Sequence, residues 1–425
     1  MSATRIDSPA MDDVIDAYCG NPWRPNAEAL RTSVARSGFA PTPDRGPDAW
    51  LQWWDLLPES LRSREAAIAA CVGLSRSTDA PWESMTELAR RLPKPERRDA
   101  PALAGRALAL ERGLAPLVGT SEPLRGALET VWRACFGPSL AQADALDDAL
   151  RETPVWIHGE TGTGRQLVAE AVAASCQGRL KRSLAEWRPG SVARVDATTL
   201  DESEQVHALL ANIADDEDGS LPDALLVTDV ARLQPRAQAA LSRRVEGPES
   251  RDPNAPRLIV TAQTGPSVAA AEGVPVALLR PLSSITIELP PLRTRREDVF
   301  AIAIHEATTF GLGDDVAVRS RIDAFLTGPA ARHPWPGNLR ELRAVVRELV
   351  LGIEPRLDAR NELRAPPSSR APAALVSGAW SMDDARAWYA RHVRAMCPSD
   401  VEAARRLDIN RGTLARILRD ATDAK

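Results

Sequence analysis

PVWIHGETGTGRQ, residues 154–166, decides the fold. Val155, Trp156 and Ile157 form a short apolar run, a glycine-rich turn follows, and a helix pattern begins directly after it. The template G-x-x-x-x-G-K-[ST] of a phosphate-cradling loop is met at Gly159 and Gly164. Arg165 stands at the lysine position and Gln166 at the hydroxyl position. Glycines let the backbone curl so that its N–H groups face phosphate oxygens. The following helix, 166–175, adds its positive end. Gly159, Glu160, Thr161, Gly162, Thr163, Gly164, Arg165 and Gln166 are therefore the expected nucleotide-binding residues. Arginine keeps the charge of lysine but is larger, planar and forked, so alignment of a terminal phosphate is expected to suffer.

Around this loop, residues 104–350 alternate helix patterns with short apolar runs at 155–158, 191–195, 224–228, 258–261 and 285–289, which predicts an α/β domain on a parallel sheet. Before it, PDAWLQWWDLLPES clusters Trp50, Trp53 and Trp54 in a helical pattern. These tryptophans read as a small helical core or, alternatively, as a partner-binding face. RRLPKPERRDAPA, residues 90–102, is charged and broken by proline and reads as a linker, as does RAPPSSRAPAALVSG, residues 364–378. The net charge of −5 excludes a global basic field, so any nucleic-acid contact is local. Five scattered cysteines without a C-x-x-C indicate neither a zinc site nor a disulfide framework. No signal core or membrane-length apolar run occurs, so a cytoplasmic location and no membrane partner are expected.

Several separate motifs resemble the AAA+ activators of sigma-54 RNA polymerase: LVGTSEPLRGALETVWRAC (117–135), the phosphate loop, LPPLRTRREDV (289–299) and HPWPGNLRELRAVV (333–346). The resemblance implies an AAA+ α/β subdomain with a helical lid, ATP or ADP with Mg as cofactor, no metal held by protein alone, and self-association as a dimer or ring. It also implies that Arg340, in GNLRELR, senses the terminal phosphate.

The chain departs from the family at the catalytic positions. The segment matching the second nucleotide motif is ALLVTDVARL, which places Thr228 at the metal position and Asp229 at the catalytic base; a slip of one residue makes Asp229 the metal ligand and leaves no base. Gln263 takes the place of the family's sensor asparagine. Only Arg280 lies near the expected arginine finger, as a displaced finger or a surface arginine. VHALLANIADDEDGS stands where the GAFTGA loop that touches sigma-54 belongs, so contact with sigma-54 or RNA polymerase is doubtful.

DVEAARRLDINRGTLARILRD, residues 400–420, has the logic of a helix-turn-helix and resembles the Fis-type tail of the same family. Ala403, Ala404, Leu407, Ile409, Leu414, Ile417 and Leu418 supply its apolar side. Asn410 is an N-cap for a helix starting at Arg411. Arg411, Gly412, Thr413 and Arg416 then face the major groove of double-stranded DNA, while Arg405, Arg406 and Arg419 neutralise phosphates.

The expected organisation is a helical module (1–92) open to a protein partner, a linker (93–114), the AAA+ α/β subdomain (115–292), its lid (293–355), a second linker (356–379) and the DNA-binding tail (380–425). The leading reading is a DNA-binding transcriptional regulator with a degenerate ATPase. Its rivals are a working ATPase that opens promoters with sigma-54, and a scaffold.

Overall fold

A computed structural model describes residues 8–79, 81–176, 190–210, 222–247, 255–357, 382–395, 400–407 and 409–420. The chain divides into two compact units, Met1–Ile353 and Glu354–Lys425.

The first unit opens with five helices, α1 (Ser8–Cys19), α2 (Ala27–Ser37), α3 (Pro47–Leu56), α4 (Arg64–Ser75) and α5 (Pro81–Arg91). Their centre is aromatic. Tyr18 meets Trp50 edge-on at 4.8 Å, and the indole N–H of Trp53 donates to the Phe39 carbonyl at 2.8 Å. Gly73 on α4 is required there, because a Cβ would lie 2.2 Å from the Trp50 ring. Trp50, Trp53 and Trp54 are all buried, so they are core and do not form an exposed partner face.

The first expected linker is not one. Residues 93–114 carry helix α6 (Glu96–Leu114), in which Ala100, Leu103, Ala104, Ala107, Leu108, Leu110 and Leu114 are buried. These positions recur at helical spacing. Burying that stripe outweighs the charge and the internal Pro101, which had suggested a break. The helix packs on α4 on one side and on the helix after the phosphate loop on the other, joining the N-terminal helices to the α/β part.

That part begins with α7 (Glu122–Phe136) and the short α8 (Asp147–Glu152). Its strands are β1 (Val155–His158), β2 (Val192–Asp196), β3 (Ala224–Thr228), β4 (Arg257–Ala262) and β5 (Ile285–Glu288), all parallel in the order β2-β3-β4-β1-β5. The five apolar runs read from the sequence are these strands, with ends shifted by one residue at most. Trp156, Val195, Leu225, Val227 and Val260 pack into one cluster with Leu209 of α10 (Glu202–Leu210), Leu241 of α11 (Pro235–Glu246) and Leu278 of α13 (Val276–Leu282), beyond the short α12 (Pro266–Ala271). The alternate residues Val155, Ile157, Leu226 and Ile259 are equally buried, and α9 (Arg165–Ser175) packs on β1, β3 and β4. Burial on both faces is why β1, β3 and β4 read as continuous apolar runs, whereas β2 and β5, each with an exposed face, alternate apolar and polar residues. Three helices close the unit: α14 (Val299–Thr309), α15 (Val316–Thr327) and α16 (Asn338–Val350), packed around Ile302, Ile322, Phe325, Leu342 and Val346. This strand order, with a phosphate loop after the interior strand β1 and a helical lid, is an α/β AAA+ fold.

In the second unit, α17 (Met382–Ala395), α18 (Asp400–Arg406) and α19 (Arg411–Asp420) meet at Ala390, Val393, Ala403, Ala404 and Leu414, with Leu407, Ile409 and Ile417 partly buried against them. Most of the second expected linker lies outside the described residues.

Candidate functional site

Ligands of open parallel sheets sit beyond the carboxyl ends of the strands. The loop after β1, the residue after β3 and the end of β4 all emerge there, because Ile157 pairs with Thr261 and Val227 with Val260 in the registers of β1, β4 and β3. Gly159, Gly162 and Gly164 have φ of 154°, 84° and 105°, values that L side chains rarely adopt. Space forbids a side chain as well. A Cβ on Gly162 would lie 2.2 Å from the Gly337 carbonyl, and one on Gly164 would lie 2.7 Å from Leu117. The loop therefore forms a backbone cradle at the N-terminus of α9, the arrangement that receives phosphate. Thr163 is buried, its hydroxyl donating to the Glu160 carbonyl at 2.8 Å.

Arg165 and Asp229 meet in this cradle, Nη1 to Oδ1 at 3.0 Å, with side chains only 12% and 17% exposed. Asp229 follows β3 in the left-handed region, φ 51°, and its N–H donates to Thr261 Oγ1 at 3.0 Å. Arg165 thus spends a charge-assisted hydrogen bond on the Asp229 carboxylate. Thr228 ends β3 beside it, half-buried. Gln166 is exposed and donates to Glu170 on its own helix at 3.2 Å. His158, at the end of β1, is held below its usual pKa by burial and by the Arg165 charge, against an opposing pull from Glu288.

The lid is fastened to the loop. Leu339 N–H donates to the Gly162 carbonyl at 3.0 Å. Asn338 is buried with φ 50°, and its amide donates to the Thr161 carbonyl at 3.1 Å and to Glu160 Oε2 at 3.3 Å, while its Oδ1 accepts from Leu292 N–H at 2.7 Å. Arg293 adds an ion pair to Glu160 Oε2 at 2.6 Å. Asp298 is buried and accepts from the backbone of Thr120 and Ser121 at 2.8 and 3.0 Å, anchoring the turn that precedes α7.

Of the residues expected from sequence, the loop, Arg165 and Asp229 come together here. Arg340 is exposed on the first turn of α16, with its Cβ beside Gly162. Gln263 and Arg280 are exposed, and among the described residues neither makes a hydrogen bond or ion pair with the loop. Sequence reasoning missed Thr261, Asn338 and Arg293. Asn338 and Arg293 carried a signal, since they lie inside the quoted GNLRELR and LPPLRTRREDV. Of VHALLANIADDEDGS, the segment expected at the place of the GAFTGA loop, residues 206–210 end α10 and 211–220 lie outside the described residues.

In the tail, Asn410 Oδ1 accepts from Thr413 N–H at 2.7 Å, a side-chain N-cap of α19. Gly412, Arg416, Arg405 and Arg406 are exposed and Thr413 is half-buried. The side chains of Arg411, Leu418 and Arg419 lie outside the described residues.

No family model matches the chain. Among curated proteins, it is 25% identical over 295 residues to the HTH-type transcriptional regulatory protein TyrR of Salmonella typhimurium, covering 64% of this chain and 55% of that protein. It is 29% identical over 219 residues to the transcriptional regulatory protein ZraR of Escherichia coli, covering 47% of this chain and 48% of that one, and 28% identical over 253 residues to the regulatory protein AtoC of the same organism, covering 54% and 53%. The matches thus span about half the length of these relatives. Among solved structures, NtrX from Brucella abortus in complex with ADP aligns at a TM-score of 0.41 with 19% identity, over 83% of this chain and 85% of that one.

Proposed function

We propose that this protein is a DNA-binding transcriptional regulator whose AAA+ part holds ATP or ADP, with its Mg ion, as a ligand and not as fuel. The observation that carries the reading is the capped helix-turn-helix: Asn410 fixes the start of α19, and Gly412 and Arg416 are exposed on its first two turns, the part of a recognition helix that reaches base edges. Arg405 and Arg406 on α18 supply the phosphate contacts that set register. The similarity to curated transcriptional regulators supports the same reading.

The residues of the loop fit a nucleotide. Three positive-φ glycines leave a cradle with no room for side chains, and α9 directs its N–H groups into it. The nucleotide supplies the phosphates and the metal, and this chain's backbone would bind them with Arg165 and Arg340. Hydrolysis is a different requirement. It needs one group to hold the metal and another to activate water. Asp229 is the one carboxylate of its motif, it is paired to Arg165, and Gln263 and Arg280 face solvent. Nucleotide then tunes self-association or DNA affinity. With no GAFTGA peptide in the sequence, action is independent of sigma-54.

Genome-wide selection of bound duplexes by the full chain tests the DNA claim. A sequence motif that disappears in Arg416→Ala supports it, and uniform retention of all duplexes overturns it. Steady ATP turnover by the purified chain, lost in Gly164→Pro, would establish the working-ATPase rival instead.

A further inference from the structure

At the amino-terminal ends of the strands, opposite the phosphate loop, a small cleft gathers Arg106 of α6, Asp147 and Arg151 of α8, Cys176 after α9, Asp223 before β3 and Arg257 at the start of β4. The six residues of β4 place it roughly 17 Å from the Asp229 end of the strands. It offers about 20 Å³ for the centre of a water-sized particle, enough for one.

Three guanidiniums face two carboxylates, and both carboxylates are engaged. Asp147 is held by Arg106 at 3.2 Å and by Arg151 at 2.7 Å. Asp223 accepts from the Ser191 N–H at 2.9 Å and from its hydroxyl at 3.2 Å. Arg257 is the odd one. It is 4% exposed, its Nη2 donates to the Ala134 carbonyl at 2.6 Å, and its Nε is buried with no hydrogen-bond partner. Cys176 is no counter-ion, since burial pushes its thiol pKa up and keeps it neutral. A buried guanidinium without an anion is costly, and a water here would accept the Nε–H without returning charge.

We propose that this cleft binds one small anion, a halide or a single oxygen of a carboxylate or phosphate, with Arg257 Nε as its principal donor. The ion ties α6, the helix that joins the N-terminal bundle to the sheet, to the elements that carry Arg165 and Asp229 at their far ends. The site is independent of the nucleotide and DNA readings.

Crystals of the full chain soaked in sodium bromide are expected to show a bromine anomalous peak within about 3.5 Å of Arg257 Nε. In solution, sodium bromide, sodium acetate and inorganic phosphate are titrated at fixed ionic strength. At least one raises the thermal midpoint saturably, by about 2–4 °C, and the rise is absent in Arg257→Met. The salt that saturates at the lowest concentration identifies the halide or the oxyanion. Asp147→Asn removes a competing carboxylate and is expected to lower the half-saturating concentration severalfold, which keeps the test open if Arg257→Met does not fold. Absence of the bromine peak, together with unsaturable salt responses in the wild type, overturns the proposal.

Discussion

Asp229→Asn isolates the pair at the centre of the phosphate cradle. Two unit charges about 4 Å apart interact by roughly 4 kcal/mol at an effective dielectric near 20. Desolvation of both groups consumes part of that, and asparagine retains an oxygen to accept from Arg165. The net loss of stability is therefore expected at about 1–3 kcal/mol, the range of a hydrogen bond to a charged group. For a unit that runs from Met1 to Ile353 that lowers the thermal midpoint by about 1–2 °C per kcal/mol. The effect on ligand is opposite in sign. In the wild type, phosphate must draw Arg165 away from Asp229 and approach that carboxylate's negative charge. Asparagine removes both costs, so ADP measured without Mg by fluorescence anisotropy is expected to bind at least about tenfold tighter, equal to about 1.4 kcal/mol. Addition of Mg discriminates the two roles of Asp229. As a metal ligand it would be missed, and the advantage of the variant would shrink or reverse. If a folded Asp229→Asn protein binds Mg-free ADP no more tightly than the wild type, the ion pair does not restrain the site and the reasoning fails.

Asn338→Ala removes the acceptor of the buried Leu292 N–H and both donors to the loop. It also places alanine at φ 50°, so a loss of about 2–4 kcal/mol is expected in denaturant unfolding, together with weaker nucleotide binding. His158, with its folded pKa below the unfolded value, binds fewer protons in the native state than in the unfolded one as pH falls through the mid-6 range. Stability is thus expected to fall from pH 7 to 5.5, and the thermal midpoint of His158→Gln should fall less over that window. Asn410→Ala removes the cap of α19, costing about 1 kcal/mol of tail stability by circular dichroism. Arg416→Ala is expected to weaken specific DNA binding by about 1–3 kcal/mol in gel-shift titrations, leaving weak salt-dependent binding in place.

The amino-acid sequence by itself determined the elements whose cause is local. Apolar runs buried on both faces announced β1, β3 and β4, alternating apolar residues announced β2 and β5, the glycine spacing of 159–164 announced the cradle, and Asn410 announced the start of α19 three residues from the N–H it caps. Tertiary structure alone decided the features that join distant residues. Arg165 meets Asp229 across 64 positions, and Asn338 reaches the loop across 177. The stretch 93–114 became a buried helix only because α4 and α9 cover its apolar stripe. Local spacing encodes dihedral preference and periodicity, whereas the partner of a side chain and its desolvation depend on which segments the sheet and lid bring side by side.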